Sequence, residues 1–253
     1  MSTPLVLTPT ACQGKTWHPP VDLQYAAGQP LIPLHMWELA KAAASMPLAL
    51  VRKDDEWQLV AVCGLTPGHN LFIGQGKWAG NYQPEWLASY PFGIYAVGDR
   101  GVVTFAQESG LLAERGLGEP FYDAQGQMLP AVATRVAALK ENFPKYQKTG
   151  QLLKALAAAG VITPWPKSLT DSLGMTIEGL HMIDERALAE LDDAVFLKLR
   201  KAQALAPAYA INLSLPQAHL LTRLARINPP ASAAVDLDEL FGDDDDSLSF
   251  DFN

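Results

Sequence analysis

Twice in this chain two β-capable runs flank a tight turn, and that arrangement constrains the fold more than any other feature. In the first, "PLALVRK" and "WQLVAVCGL" flank "DDE" at 54–56. In the second, "FGIYAV" and "VVTFA" flank "GDRG" at 98–101. Loops this short join only antiparallel neighbours, because a parallel pair needs a long crossover. Between the two lie a turn cluster "TPGHN" (66–70), a short strand "LFI" (71–73) and a glycine-rich loop "GQGKWAGNY" (74–82). They are followed by "PEWLASY" (84–90), a helix begun by proline and ended by Pro91. Residues 47–106 therefore read as a mostly antiparallel sheet interrupted by one short helix.

The later half has the other periodicity. Residues 131–159 are helical, with Pro144 as a kink or break and Gly160 as the stop. "VITPWPKSL" reads as loop and "MTIEGLHMID" (175–184) as a strand. From Glu185 to Arg226 apolar residues recur at helical spacing, interrupted near Pro207 and Pro216, which makes about three helices. "HMWELAKAAAS" (35–45) is a short helix ended before Pro47. Strands first and helices later give an α+β fold, with a mostly antiparallel sheet in the N-terminal half, a helical C-terminal half and a disordered acidic tail. The expected division is an extended arm over 1–30, an α+β domain over 31–227, and a linker and acidic-aromatic tail over 228–253.

Charge sharpens that division. Of the 27 acidic residues, eight lie within 236–253, a segment without Lys or Arg, leaving 19 acids against 19 bases before it. The body is formally neutral and the tail holds the whole net charge of −8. A neutral body argues against nucleic-acid binding through counterion release. No apolar run is long enough to span a bilayer. The first twenty residues lack the basic start and apolar stretch of a secretory signal, so the cytoplasm is the default and the cell surface is open to a signal-less export route. Cys12 and Cys63 form neither a zinc spacing nor a disulfide framework.

Three stretches carry a family likeness: "LVAVCGLTPGHNLFI" (59–73), "GKWAGNYQPEWLASYPF" (76–92) and "GLHMIDERALAELDDAVFLKLRKAQALAPAYAINLSL" (179–215). With Gly64, Leu65, Asn70, Leu71, Phe72, Trp78, Tyr82, Pro84, Tyr90, Pro91 and Phe92 in that order, the chain resembles the SapC family of bacterial proteins over roughly residues 30–225. It departs at Ala88, where relatives often carry a basic residue. The resemblance implies a link to bacterial surface layers and the envelope, and no particular reaction. A peptide-transport permease shares the name, but such a protein needs membrane helices that this sequence lacks.

The aromatic loop is the body's candidate ligand site. Trp78, Tyr82, Trp86 and Tyr90 lie close together, and Trp86 and Tyr90 share a helical face. Large rings with one polar handle suit a sugar, a peptide or a lipid headgroup. They equally suit a core where the short helix meets the sheet. His69, beside Asn70 in a turn, is the candidate functional histidine, against a reading in which it only bonds locally. "GQGKWAG" has the wrong spacing for a phosphate cradle. The five histidines form no metal-binding pair, so no metal or other cofactor is expected. No nucleophile elbow and no cysteine with a base partner appears, so no catalytic residue is named. Glu178 and Asp184 flank His181 on the expected strand but point away from it. "NLS" at 212–214 matches a glycosylation sequon.

The tail is the candidate partner site. Phe241, Asp243, Asp244, Asp245, Asp246, Leu248, Phe250 and Phe252 interleave acid and ring. A merely solubilising end has no use for the rings, whereas a docking peptide uses charge to approach a basic rim and rings to enter an apolar pocket. An export signal, or a segment folding back on the body or a sister subunit, would use the same composition. The reading is a non-enzymatic accessory protein that binds a protein partner through its tail. The rival is an enzyme acting in a cleft near Trp78 and His69.

Overall fold

The computed structural model describes residues 4–53, 55–98, 100–114 and 116–229. Phe241 to Phe252, the candidate partner site, lie outside the described residues. In chain order the early elements are β1 (Leu5–Val6), β2 (Lys15–Trp17), β3 (Leu31–Pro33), α1 (Leu39–Ala43), β4 (Leu48–Lys53), β5 (Glu56–Val62), β6 (Ile73–Gly74) and β7 (Lys77–Trp78). Then come α2 (Glu85–Ser89), β8 (Phe92–Val97), β9 (Arg100–Phe105), β10 (Leu112–Glu114), β11 (Glu119–Pro120), α3 (Pro130–Ala158), β12 (Ile162–Pro164) and α4 (Lys167–Ser172). β13 (His181–Ile183), α5 (Glu185–Ala189), α6 (Asp193–Lys201), α7 (Leu205–Ser214) and α8 (Ala218–Ile227) follow. The molecule is α+β, with antiparallel sheets mainly in its N-terminal part and helices later.

Both expected hairpins form. β4 pairs β5 from Leu48↔Ala61 to Lys53↔Glu56, and β8 pairs β9 from Phe92↔Phe105 to Val97↔Arg100. They do not share one sheet, which corrects the single sheet expected over 47–106. β4 and β5 sit in a five-stranded sheet of order β12-β13-β4-β5-β3, while β8 and β9 join β1 in a three-stranded sheet. β10 and β11 flank β2 in a third, and β6 with β7 makes a small ribbon.

Burial along the first hairpin is consecutive rather than alternating. Leu48, Ala49 and Leu50 are buried in succession, as are Leu59 to Val62. Consecutive burial requires cover on both faces of a sheet. α3 packs on β5, and α7 packs on β4 and β13. Polar bonds pin α7 there. Asn212 accepts from Ile183 N (3.0 Å) and donates to Ile183 O (2.8 Å), while Ser214 Oγ accepts from Leu48 N at 2.8 Å. The sequon asparagine thus spends its amide on the sheet.

Two hydrophobic cores result. The larger holds the five-stranded sheet, α1, the later helices and the second half of α3, through Leu152, Leu153 and Leu156. The smaller centres on Trp17, Phe92, Phe105 and Phe121, closed by Val132, Val136 and Leu139 from the first half of α3. α3 runs unbroken through Pro144, an exposed position. Residues 1–30, read from sequence as an extended arm, supply β1 and β2 and the fully buried Trp17. Two local expectations need correction. "VITPWPKSL" contains β12 and the start of α4; a strand ending at Pro164 is tolerated because β12 is an edge. The strand expected over 175–184 is confined to His181–Ile183.

Candidate functional site

The best-organised polar group of the body is the Glu38 carboxylate, a residue the sequence does not single out. A 3-10 turn over Met36–Glu38 leads into α1 and drives Glu38 inward, where it is 1% exposed. An isolated buried carboxylate would be prohibitive, so its oxygens must be filled. Oε1 accepts from Tyr82 Oη and from Glu85 N, both at 2.8 Å, and Oε2 accepts from His35 N at 3.0 Å. Burial pushes its pKa up, against the three hydrogen bonds, which pull it down. Tyr82 is pushed up as well, first by burial and then by its bond to Glu38.

The loop that presents Tyr82 is shaped by close packing. Trp78 stacks on Phe72 at 5.0 Å and donates Nε1–H to Tyr82 O at 2.7 Å. A Cβ at Gly80 would stand 2.7 Å from that Nε1, so only glycine fits. His35 packs against Trp37 (4.7 Å) and Tyr146 of α3 (4.0 Å), and those two rings meet each other at 5.4 Å. Trp37 Nε1 donates to Glu85 Oε2 at 2.8 Å, and Lys145 Nζ sits 5.4 Å from the Trp37 ring centre. Burial lowers the His35 pKa to about 4, so the ring is neutral near pH 7. Chemically, the cluster is a buried acid beside a phenol and a neutral imidazole, walled by indole rings.

The candidates named from sequence divide into two groups. Trp78 and Tyr82 belong to the Glu38 cluster. Trp86 and Tyr90 meet each other at 4.6 Å, and Tyr90 stacks on Tyr25 at 5.0 Å, whose hydroxyl donates to Leu87 O. Asn70 is fully buried, accepting from Phe72 N at 3.0 Å, and so holds its own turn. His69 is half-buried, and its carbonyl lies where a Cβ on Gly64 would fall, at 2.1 Å. His181 packs edge-on against Trp57, and Asp184 caps α5 by accepting from Ala187 N at 3.0 Å. The missed members are His35, Trp37, Glu38 and Tyr146. The run "HMWE" held a faint signal, a cap position followed three residues later by Glu, but nothing local foretells Tyr146.

Concavities lie elsewhere. An open groove of about 380 Å³ is lined by Thr163, Met182, Asp184, Glu185 and Asn212, and another of about 380 Å³ by Lys148, Gln151, Lys201 and Gln203. Among the described residues no group of three His, Cys, Asp or Glu side chains could hold a metal ion, and no helix is long and apolar enough to cross a membrane.

Against known proteins, the SapC family model matches residues 7–221. The chain belongs to the SapC family. No curated protein and no solved structure matches it. The SapC match contains the whole Glu38 cluster and all of both cores except Leu5 and Leu224, and ends inside α8 at Leu221. The acidic segment lies beyond the matched span.

Proposed function

We propose that this SapC protein is a non-enzymatic accessory protein that captures a protein partner through residues 236–252, in association with the bacterial cell surface. The composition of that segment carries the reading: eight acids, no base, and Leu240, Phe241, Leu248, Phe250 and Phe252 among them. Each buried phenylalanine contributes roughly 1.5–3 kcal/mol. Ordering the segment costs about 2–5 kcal/mol. The balance favours weak, reversible capture steered by charge. The body supports this reading, since Trp78, Tyr82 and Tyr90 spend their polar groups or faces on their own chain. The association with the cell surface rests on the family link.

The test compares the full chain with one stopped after Val235 in a pull-down at low and high salt. A partner lost on truncation and weakened by salt supports the reading; the same catch from both chains overturns it.

One observation favours the rival enzyme: Glu38 is a buried carboxyl with a raised pKa beside a tyrosine hydroxyl. Such groups gather at catalytic sites. The enzyme would act on a small molecule or peptide near Trp78 and His69. His69→Ala, Trp78→Ala and Glu38→Gln would then each abolish ligand binding or turnover in folded protein, and unchanged behaviour of all three sinks this reading.

A further inference from the structure

We propose that the outer faces of α7 and α8 form a docking surface for this chain's own acidic-aromatic segment, residues 236–252. α8 presents His219, Arg223 and Arg226, all exposed and spaced four and three apart, along one helical face. Its opposite face buries Leu221 and Leu224. The ion pairs among the described residues lie elsewhere, at Arg52–Asp55, Lys154–Glu56 and Arg186–Glu190. Among the described residues neither arginine has an ion-pair partner, on a body with no net charge.

The helix before it supplies an apolar strip. From Ala204 to Ala218 there is no charged residue. Ala206, Tyr209, Leu213 and Pro216 fall on one exposed line, with Tyr209 47% and Leu213 77% exposed. A solvent-facing helix ordinarily carries charge there, and an uncharged exposed strip marks an interaction surface.

The segment matches both features. Asp243–Asp246 complement the arginines, while Phe241 and Phe250 complement the Tyr209–Leu213 strip. Its tether is favourable too. The described chain ends at Pro229, just past α8, and Asp243 follows fourteen residues later. That length spans up to about 45 Å, against roughly 15 Å for α8 itself. A short tether gives an effective concentration of order millimolar, so a contact too weak to persist between molecules is populated within one.

The experiment uses the full chain with Ser249→Cys carrying a nitroxide, since Cys12 and Cys63 are buried. Paramagnetic broadening of backbone amides is read at about 50 mM and about 500 mM salt, where screening differs strongly. Docking predicts at least twofold broadening over residues 206–226 at low salt, weaker at high salt and lost in Arg223→Glu/Arg226→Glu. Arg223→Gln/Arg226→Gln serves if the charge reversal perturbs the fold, and predicts a smaller loss in the same direction. Broadening absent from α7 and α8, or centred on the Lys148–Lys201 groove, overturns the proposal. So does equal broadening when spin-labelled and isotope-labelled chains are mixed, which assigns the segment to a second copy.

A consequence rests on the proposed function: a docked segment is withheld from its partner. Arg223→Glu/Arg226→Glu then tightens partner capture two- to tenfold, the reciprocal of the undocked fraction. The two ideas fail separately. A truncation-insensitive pull-down defeats partner capture and leaves the broadening intact, whereas missing broadening defeats docking and leaves the pull-down intact.

Discussion

Glu38 shows how one side chain can organise a region while leaving little trace in sequence. Its oxygens satisfy the Tyr82 hydroxyl and the amides of Glu85 and His35, joining the turn before α1 to the start of α2. Glu38→Ala leaves those donors unmatched and is expected to destabilise the fold by about 2–4 kcal/mol. Glu38→Gln, which keeps one acceptor, should cost about 1–2 kcal/mol. Urea unfolding with an unchanged m-value checks both, and a loss below about 0.5 kcal/mol for Glu38→Ala would show the cluster to be dispensable. His35 adds a pH dependence. Its folded pKa, about 4, lies below the ordinary 6.5. A depressed pKa means that the folded state binds fewer protons, so this contribution is full above pH 6.5 and is lost as pH falls toward 4. The loss amounts to up to about 3 kcal/mol. Glu38 acts in the opposite sense: its raised pKa means that burial of the charged form costs more as pH rises through the titration. His35→Phe keeps a ring against Trp37 and Tyr146 but cannot titrate. Between pH 6.5 and 4 the parent should lose stability that the variant retains, and parallel pH profiles would refute this.

At the scale of elements, α3 is the member that makes the molecule one body. Val132, Val136 and Leu139 face the smaller core, and Leu152, Leu153 and Leu156 the larger. At 100° per residue the two buried faces lie roughly 115° apart around the helix axis. No single apolar stripe runs the helix's length, so the periodicity of its sequence looks weaker than its packing. Leu139→Ala and Leu153→Ala should each cost about 2–5 kcal/mol by opening a cavity in a different core. The sites lie about 21 Å apart along the helix. Their effects should therefore add to within about 0.5 kcal/mol in a double-mutant cycle. A coupling above about 1 kcal/mol would mean that the two cores are energetically one. The short hairpins follow local rules, and both formed where their turns placed them. The sheet each one joins is a matter of partners distant in sequence, β13 and β3 for one and β1 for the other.

For the whole molecule, the separation of charge is the dominant physical property. A chain stopped after Val235 holds 19 acids against 19 bases, while the full chain has a sequence pI near 5.1. Truncation should move the isoelectric point to near neutrality on a focusing gel and lower solubility near pH 7, where little net charge would oppose association. An unmoved band would refute the assignment of charge to the tail. The α+β class, both hairpins, the order of sheets and helices, and the SapC likeness were legible in the sequence, because turn chemistry, periodicity and charge are local properties. A third of the Glu38 cluster was legible too, since Trp78 and Tyr82 sit in a conspicuous aromatic loop. His35, Trp37 and Tyr146 were not, because a neighbour across the core leaves no mark on the residues beside it in sequence. Local chain chemistry thus decided which segments become strand, helix or turn and where the charge lies. Only the tertiary structure decided that the hairpins part into two sheets, that α3 serves two cores, and that Glu38 is buried, because those outcomes depend on which distant surfaces exclude water together.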